Sequence, residues 1–94
     1  MLRLLEHEQK VIKESVLSLD PLAEVYVFGS RANPDKRGGD IDLLILSQSL
    51  QETDKRKIRW AICDQIGEQK IDLVIAKDQT SPFVRIALSE GVKL

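Results

Sequence analysis

The chain has 94 residues, of which 43% are hydrophobic and 31% charged, and 14 basic side chains against 15 acidic ones leave a formal net charge of -1. That length predicts a single domain, residues 1–94, with one modest core, and the composition is that of an ordered globular chain. The balanced charge argues against a general nucleic-acid binder, and the single cysteine, Cys63, excludes an internal disulfide.

The N-terminus meets acidic residues by Glu6 and lacks the long apolar run of a signal peptide, and no segment reaches transmembrane length. A cytoplasmic location with no membrane contact is the expectation. From Leu2 to Leu19 apolar residues fall at Leu2, Leu5, Ile12, Val16 and Leu19. Steps of three and four predict an amphipathic helix, ended by Asp20-Pro21 because the residue before a proline avoids the helical region. Leu4 and Val11 lie off that stripe and fit either a wider core contact or a partner surface. "EVYVF", Glu24 to Phe28, predicts a strand that stops at Gly29. "SRANPDKRGG" is a loop, with room for one helical turn at its start.

"DIDLLIL" predicts the second strand. "TDKRKIRWAICDQIG" reads as a helix, capped by Thr53 and ended by Gly67, with Ile58, Ala61, Ile62 and Ile66 on one face. "KIDLVIA" is the third strand. Ser81-Pro82 opens a last helix that Gly91 closes. The order α-β-β-α-β-α predicts an α/β domain in two or three layers on a small mixed three-stranded sheet. The last two strands are joined through a helix, so they should be parallel, while the loop between the first two permits an antiparallel pair.

Two of these strands carry charges where apolar residues would suffice. Side chains alternate along a strand, so Asp40 and Asp42 point one way while Ile41, Leu43 and Ile45 point into the core. Asp72 holds the matching place on the third strand. In a parallel pair all three carboxylates meet at one rim. Two like charges about 4 Å apart repel by roughly 4 kcal/mol at an effective dielectric of about 20. Such a cluster stays ionised with cations between its members, and carboxylate oxygens suit Mg²⁺ or Mn²⁺. Two such ions can clamp an in-line displacement at phosphorus. Gly29-Ser30, directly after the first strand, is a candidate phosphate contact, because glycine admits close approach and exposed N–H groups bind anions. Arg31, Lys36 and Arg37 are candidates to neutralise phosphate charge.

The stretch "VFGSRANPDKRGGDIDLLI" resembles the signature of the nucleotidyltransferase superfamily that includes DNA polymerase beta. A Gly-Ser turn precedes a D-x-D strand, and a third acidic residue follows on a later strand. The short chain is similar to the minimal nucleotidyltransferases of bacteria and archaea, many of them the antitoxin half of a two-gene system with a HEPN-type toxin. The resemblance covers nearly the whole chain and implies a polymerase beta palm-like fold. It implies that Gly29, Ser30 and Arg31 hold a nucleoside triphosphate, with ATP expected. Asp40, Asp42 and Asp72 would hold two Mg²⁺ ions, with Asp72 helping to take the proton from the attacking hydroxyl. The implied acceptor is a protein hydroxyl, such as a tyrosine of a HEPN partner. Asn33-Pro34 interrupts the run that continues after Gly-Ser in many relatives, so any helix there should be short.

The alternative from a different class is a non-catalytic antitoxin that silences its partner by binding. A phospho-accepting receiver domain also clusters aspartates, but this chain is too short for its five βα units. So small a surface leaves little room for both nucleotide and acceptor, which points to a protein partner or a homo-oligomer. Trp60 falls almost opposite the Ile58/Ile62/Ile66 face and fits either a protein contact or packing beneath a neighbouring segment. "DKRKIR" reads as a solvated helix face.

Overall fold

The computed structural model of the chain describes residues 3–32 and 39–94. Helix α1 spans Glu6–Leu17 and strand β1 spans Glu24–Phe28, followed by a 3-10 turn over Gly29–Arg31. Strand β2 (Ile41–Leu46), helix α2 (Asp54–Ile66), strand β3 (Ile71–Ala76), helix α3 (Pro82–Glu90) and strand β4 (Val92–Lys93) complete the order.

The strands form one mixed sheet in the order β3-β2-β1-β4. As expected, β2 runs antiparallel to β1 and parallel to β3, with Ile41 opposite Ile71 and Asp42 opposite Asp72. The sheet has four strands where the sequence predicts three. Strand β4 is only two residues long, too short for alternation to register, and it pairs antiparallel with Tyr26 and Val27 of β1. Gly91 makes that return possible. A side chain there would meet the Ala87 carbonyl oxygen at 2.7 Å and the Val27 carbonyl oxygen at 3.1 Å.

Three layers result. Helices α1 and α2 cover one face of the sheet and α3 covers the other. On the first face Ile41, Leu43 and Ile45 of β2 pack with Val25 and Val27, with Ile12 and Val16 of α1, and with Ile58 and Ile62 of α2. Leu44 of the same strand faces the opposite way, under Val84 and Ala87 of α3. Central strand β2 is therefore apolar on both sides, as strands covered on two faces must be.

The first helix is shorter than its periodicity suggests. It begins at Glu6, and the Leu5 N–H is capped by the Glu8 carboxylate at 3.0 Å. Leu5 and Leu19 are exposed, whereas Leu4 and Val11 are buried. Those two belong to the core rather than to a partner surface. Thr53 and Ser81 stand at the expected starts of α2 and α3, yet neither side chain caps its helix. Gly67 does end α2, in the left-handed region at φ 88°. Among the described residues no helix is long and apolar enough to cross a membrane.

Candidate active site

The strand register assembles the site. Phe28, the last residue of β1, stands opposite Asp42 of β2, and Asp42 stands opposite Asp72 of β3. Residues opposite one another share a face, so both carboxylates rise from the face that α3 covers lower down, beneath Val84 and Ala87. Gly29 follows Phe28 directly and must turn the chain into the 3-10 segment. It does so with φ 71°, a conformation costly for any residue with a Cβ. A Cβ at this position would also overlap the Asp42 carboxylate. The Gly-Ser turn and the D-x-D strand thus meet where Gly29 abuts Asp42, 13 positions on in the sequence.

Asp42 is half-buried beside two other acids. Its carboxyl is pushed above the usual carboxylate range, chiefly by burial and then by the charges of Asp72 and Asp40. A hydrogen bond with Asp72 acts in the same direction, and Lys70 pulls the other way. Asp40 lies two residues before Asp42, just outside β2, and its carboxylate reaches the Lys70 ammonium at 3.5 Å. Extending the parallel register back by one residue explains that pair, since the Ile41 N–H donates to the Lys70 carbonyl at 2.9 Å.

Among the described residues no three His, Cys, Asp or Glu side chains close around a single point. The structure brings Asp42 and Asp72 together and leaves Asp40 on Lys70. The donor set nevertheless fits a hard divalent cation. Two acidic oxygens face each other at a cost that a cation removes, and an exposed lysine already supplies positive charge to the third.

The turn itself is held by a segment that the sequence reading did not connect to it. The Arg3 guanidinium donates twice to the Ser30 carbonyl, at 3.2 and 3.1 Å, and the Arg3 N–H donates to the Arg31 carbonyl at 2.7 Å. Arg31 answers by donating to the Arg3 carbonyl and to the Gly39 carbonyl, each at 3.0 Å. Its guanidinium thus ties Arg3 to both ends of the loop before Asp40, while its buried Nε has no partner among the described residues. Lys36 and Arg37 lie outside the described residues. The turn is three residues long, in keeping with a short helix after Ser30.

Lys70 could have been found in the sequence once the register was known. Arg3 could not, because nothing local to it signals a contact with residues 30 and 31. The family model described as the nucleotidyltransferase domain matches residues 10–94, and no curated protein matches the chain.

Proposed function

The chain belongs to the nucleotidyltransferase domain family, and from that premise we propose that it transfers a nucleoside monophosphate, AMP from ATP, to an acceptor hydroxyl with release of pyrophosphate. The observation that carries this reading is the contact between the side-chain-free Gly29 and the Asp42 carboxylate, with Asp72 alongside. It gives one place where a phosphate can approach backbone and carboxylates together. The acceptor oxygen forms a bond to the α-phosphorus, the bond to the bridging oxygen breaks, and pyrophosphate departs with the pair of electrons. The acceptor's proton passes to the Asp72 carboxylate, which is exposed and therefore open to it.

Asp40, Asp42 and Asp72 would hold the divalent cations, Mg²⁺ or Mn²⁺, with Asp40 exchanging Lys70 for the ion. The cations would supply charge for the phosphoryl oxygens and lower the pKa of the acceptor hydroxyl. Gly29 and Ser30 would bear the triphosphate. Arg31 supports that turn through the backbone and brings one positive charge near it. The acceptor in this reading is a protein, a tyrosine of a HEPN-type partner.

The test is incubation with radiolabelled ATP, Mg²⁺ and the product of the neighbouring gene. Label should pass to that protein from the wild type and not from Asp42→Asn. No transfer, or equal transfer from both, overturns the proposal. Partner neutralisation that survives Asp40→Ala and Asp72→Ala would instead support the binding-only alternative. The exposed Trp60 beside a groove is the observation that favours it.

A further inference from the structure

One face of α2 and the segment that leads from it into β3, residues 68–70, flank an open groove of about 1050 Å³. Its walls include Arg56, Lys57, Arg59, Trp60, Glu68 and Lys70. Arg56, Trp60 and Cys63 follow one another at helical spacing, so the groove runs along α2 at the margin of the core, with Cys63 packed against that core and Arg56 and Trp60 exposed. Trp60 is 78% exposed, the largest apolar side chain left in solvent among the described residues. Four cationic side chains against one acid give the groove a net charge of +3, whereas the whole chain stands at -1.

The groove is tied to the carboxylate rim at two points. Lys70 lines it and also pairs with Asp40 at 3.5 Å. Arg59 Nε donates to the Ile71 carbonyl at 3.1 Å, one residue before Asp72. An occupant seated along α2 would therefore end beside the site where transfer takes place.

We propose that this groove docks the acceptor, and that the acceptor presents an acidic segment of a partner protein with one large apolar side chain against Trp60. The role as acceptor dock rests on the transferase reading above, but the binding itself does not. Charge complementarity selects the acid, since opposed potentials steer and align a partner. The exposed indole flanked by arginine selects the apolar anchor, because tryptophan and arginine dominate protein hot spots. A nucleic-acid strand fits less well. It would leave the groove onto the rest of the chain, whose net charge is negative, and a polyanion needs a continuous basic track.

Trp60 is the only tryptophan, so its emission reports on the groove directly. A phage library of random twelve-residue peptides is selected on the wild type and counter-selected on Trp60→Ala, and the best tryptophan-free peptides are titrated against the wild type by Trp60 emission. The expected peptides carry an acidic excess around one large apolar residue and shift the emission to the blue. Lys57→Glu should weaken their binding about tenfold or more, as read by anisotropy of the labelled peptide, while circular dichroism confirms that the exposed substitution leaves the fold intact. Asp42→Asn should bind them unchanged, so peptide binding supports the groove even where the transfer assay is silent. Peptides without acidic excess, or equal binding to Trp60→Ala, overturn the proposal. So does a twelve-nucleotide oligo(dT) that shifts the emission at lower concentration than any peptide. A blue shift with protein concentration alone, accompanied by a doubled sedimentation mass, would assign the groove to a second copy of the chain and overturn it equally.

Discussion

Gly29 and Asp42 share one space: the position that a side chain would take on the glycine is filled by the carboxylate of the aspartate. This places a left-handed backbone turn and a half-buried acid in a single steric unit. Gly29→Ala therefore meets two penalties. The φ of 71° costs about 1–2 kcal/mol once a Cβ is present, and Asp42 must move. Thermal unfolding should fall by about 4–8 °C or more. Nucleotidyl transfer should fall further than that loss of stability accounts for, if the displaced carboxylate serves the transfer as proposed. Activity retained at the wild-type level below the melting transition would show that the turn and the acid act independently.

The Asp42–Asp72 pair makes the opposite prediction for stability. The folded state raises the Asp42 carboxyl above its ordinary value, through burial first and then through its acidic neighbours. Such a group stabilises the fold when protonated, and that contribution is lost as the pH rises through the folded value. At neutral pH without divalent cations, Asp42→Asn should melt a few degrees higher than the wild type, and the gap should narrow as the pH falls through the raised folded value and be closed below about 4. Adding Mg²⁺ should raise the wild-type melting temperature and leave Asp42→Asn unmoved. Scanning calorimetry with EDTA and then with excess Mg²⁺ decides it. A wild type that melts above the variant in EDTA would refute the idea that these carboxylates are held together at a cost.

Much of this site was legible because its logic is periodic. Alternation put Asp40 and Asp42 on one side of β2. The helix between β2 and β3 made the strands parallel, and the parallel register then brought Asp72 opposite Asp42. The elements that escaped are those without a period. Strand β4 is two residues long, and the Arg3 contacts with residues 30 and 31 bridge 27 and 28 positions by hydrogen bonds to carbonyls, which leave no trace in composition. The apolar stripe of α1 misled for a related reason. Leu5 fits the helical spacing, but it precedes the first helical residue, where backbone direction rather than periodicity decides burial.

That clasp separates two roles for Arg31. If its charge serves the triphosphate, Arg31→Lys should preserve most activity. If its hydrogen bonds to the Arg3 and Gly39 carbonyls fix the turn, a lysine cannot span both, because it lacks the planar fork. The geometry favours the second role. Arg31→Lys and Arg3→Ala should each cost about 1 kcal/mol of stability. They should also raise the KM for the nucleotide together, as measured by unfolding in urea and by initial rates. An Arg3→Ala protein with unaltered KM would detach the N-terminal segment from the site.

At the far end of the sheet, Asp20 and Ser47 form a buried pair with its own pH signature. Asp20 accepts from the Ser47 hydroxyl through Oδ2 and from the Leu22 N–H at 3.0 Å through Oδ1. Ser47 Oγ in turn accepts from the N–H groups of Ser49 and Leu50, at 3.2 and 3.0 Å. With both acceptor places taken, the hydroxyl has only its proton to offer, and Asp20 must remain an acceptor. The Ser47 hydrogen bond, and after it the Leu22 bond, hold the Asp20 carboxyl below its ordinary value. A lowered value contributes stability above the unfolded pKa, near 3.9, and loses it as the pH falls through the folded one. Asp20→Asn presents an amide N–H₂ or a weaker carbonyl to Ser47 and should cost about 1–3 kcal/mol at pH 7. Urea titrations at pH 7, 5 and 3 should show that difference constant between the first two and smaller at the third, which lies below the unfolded pKa, where the unfolded chain takes up the proton first. A difference that stays the same at pH 3, or grows, would mean that the ionised carboxylate is not what holds Ser47 and the loop to Leu50 in place.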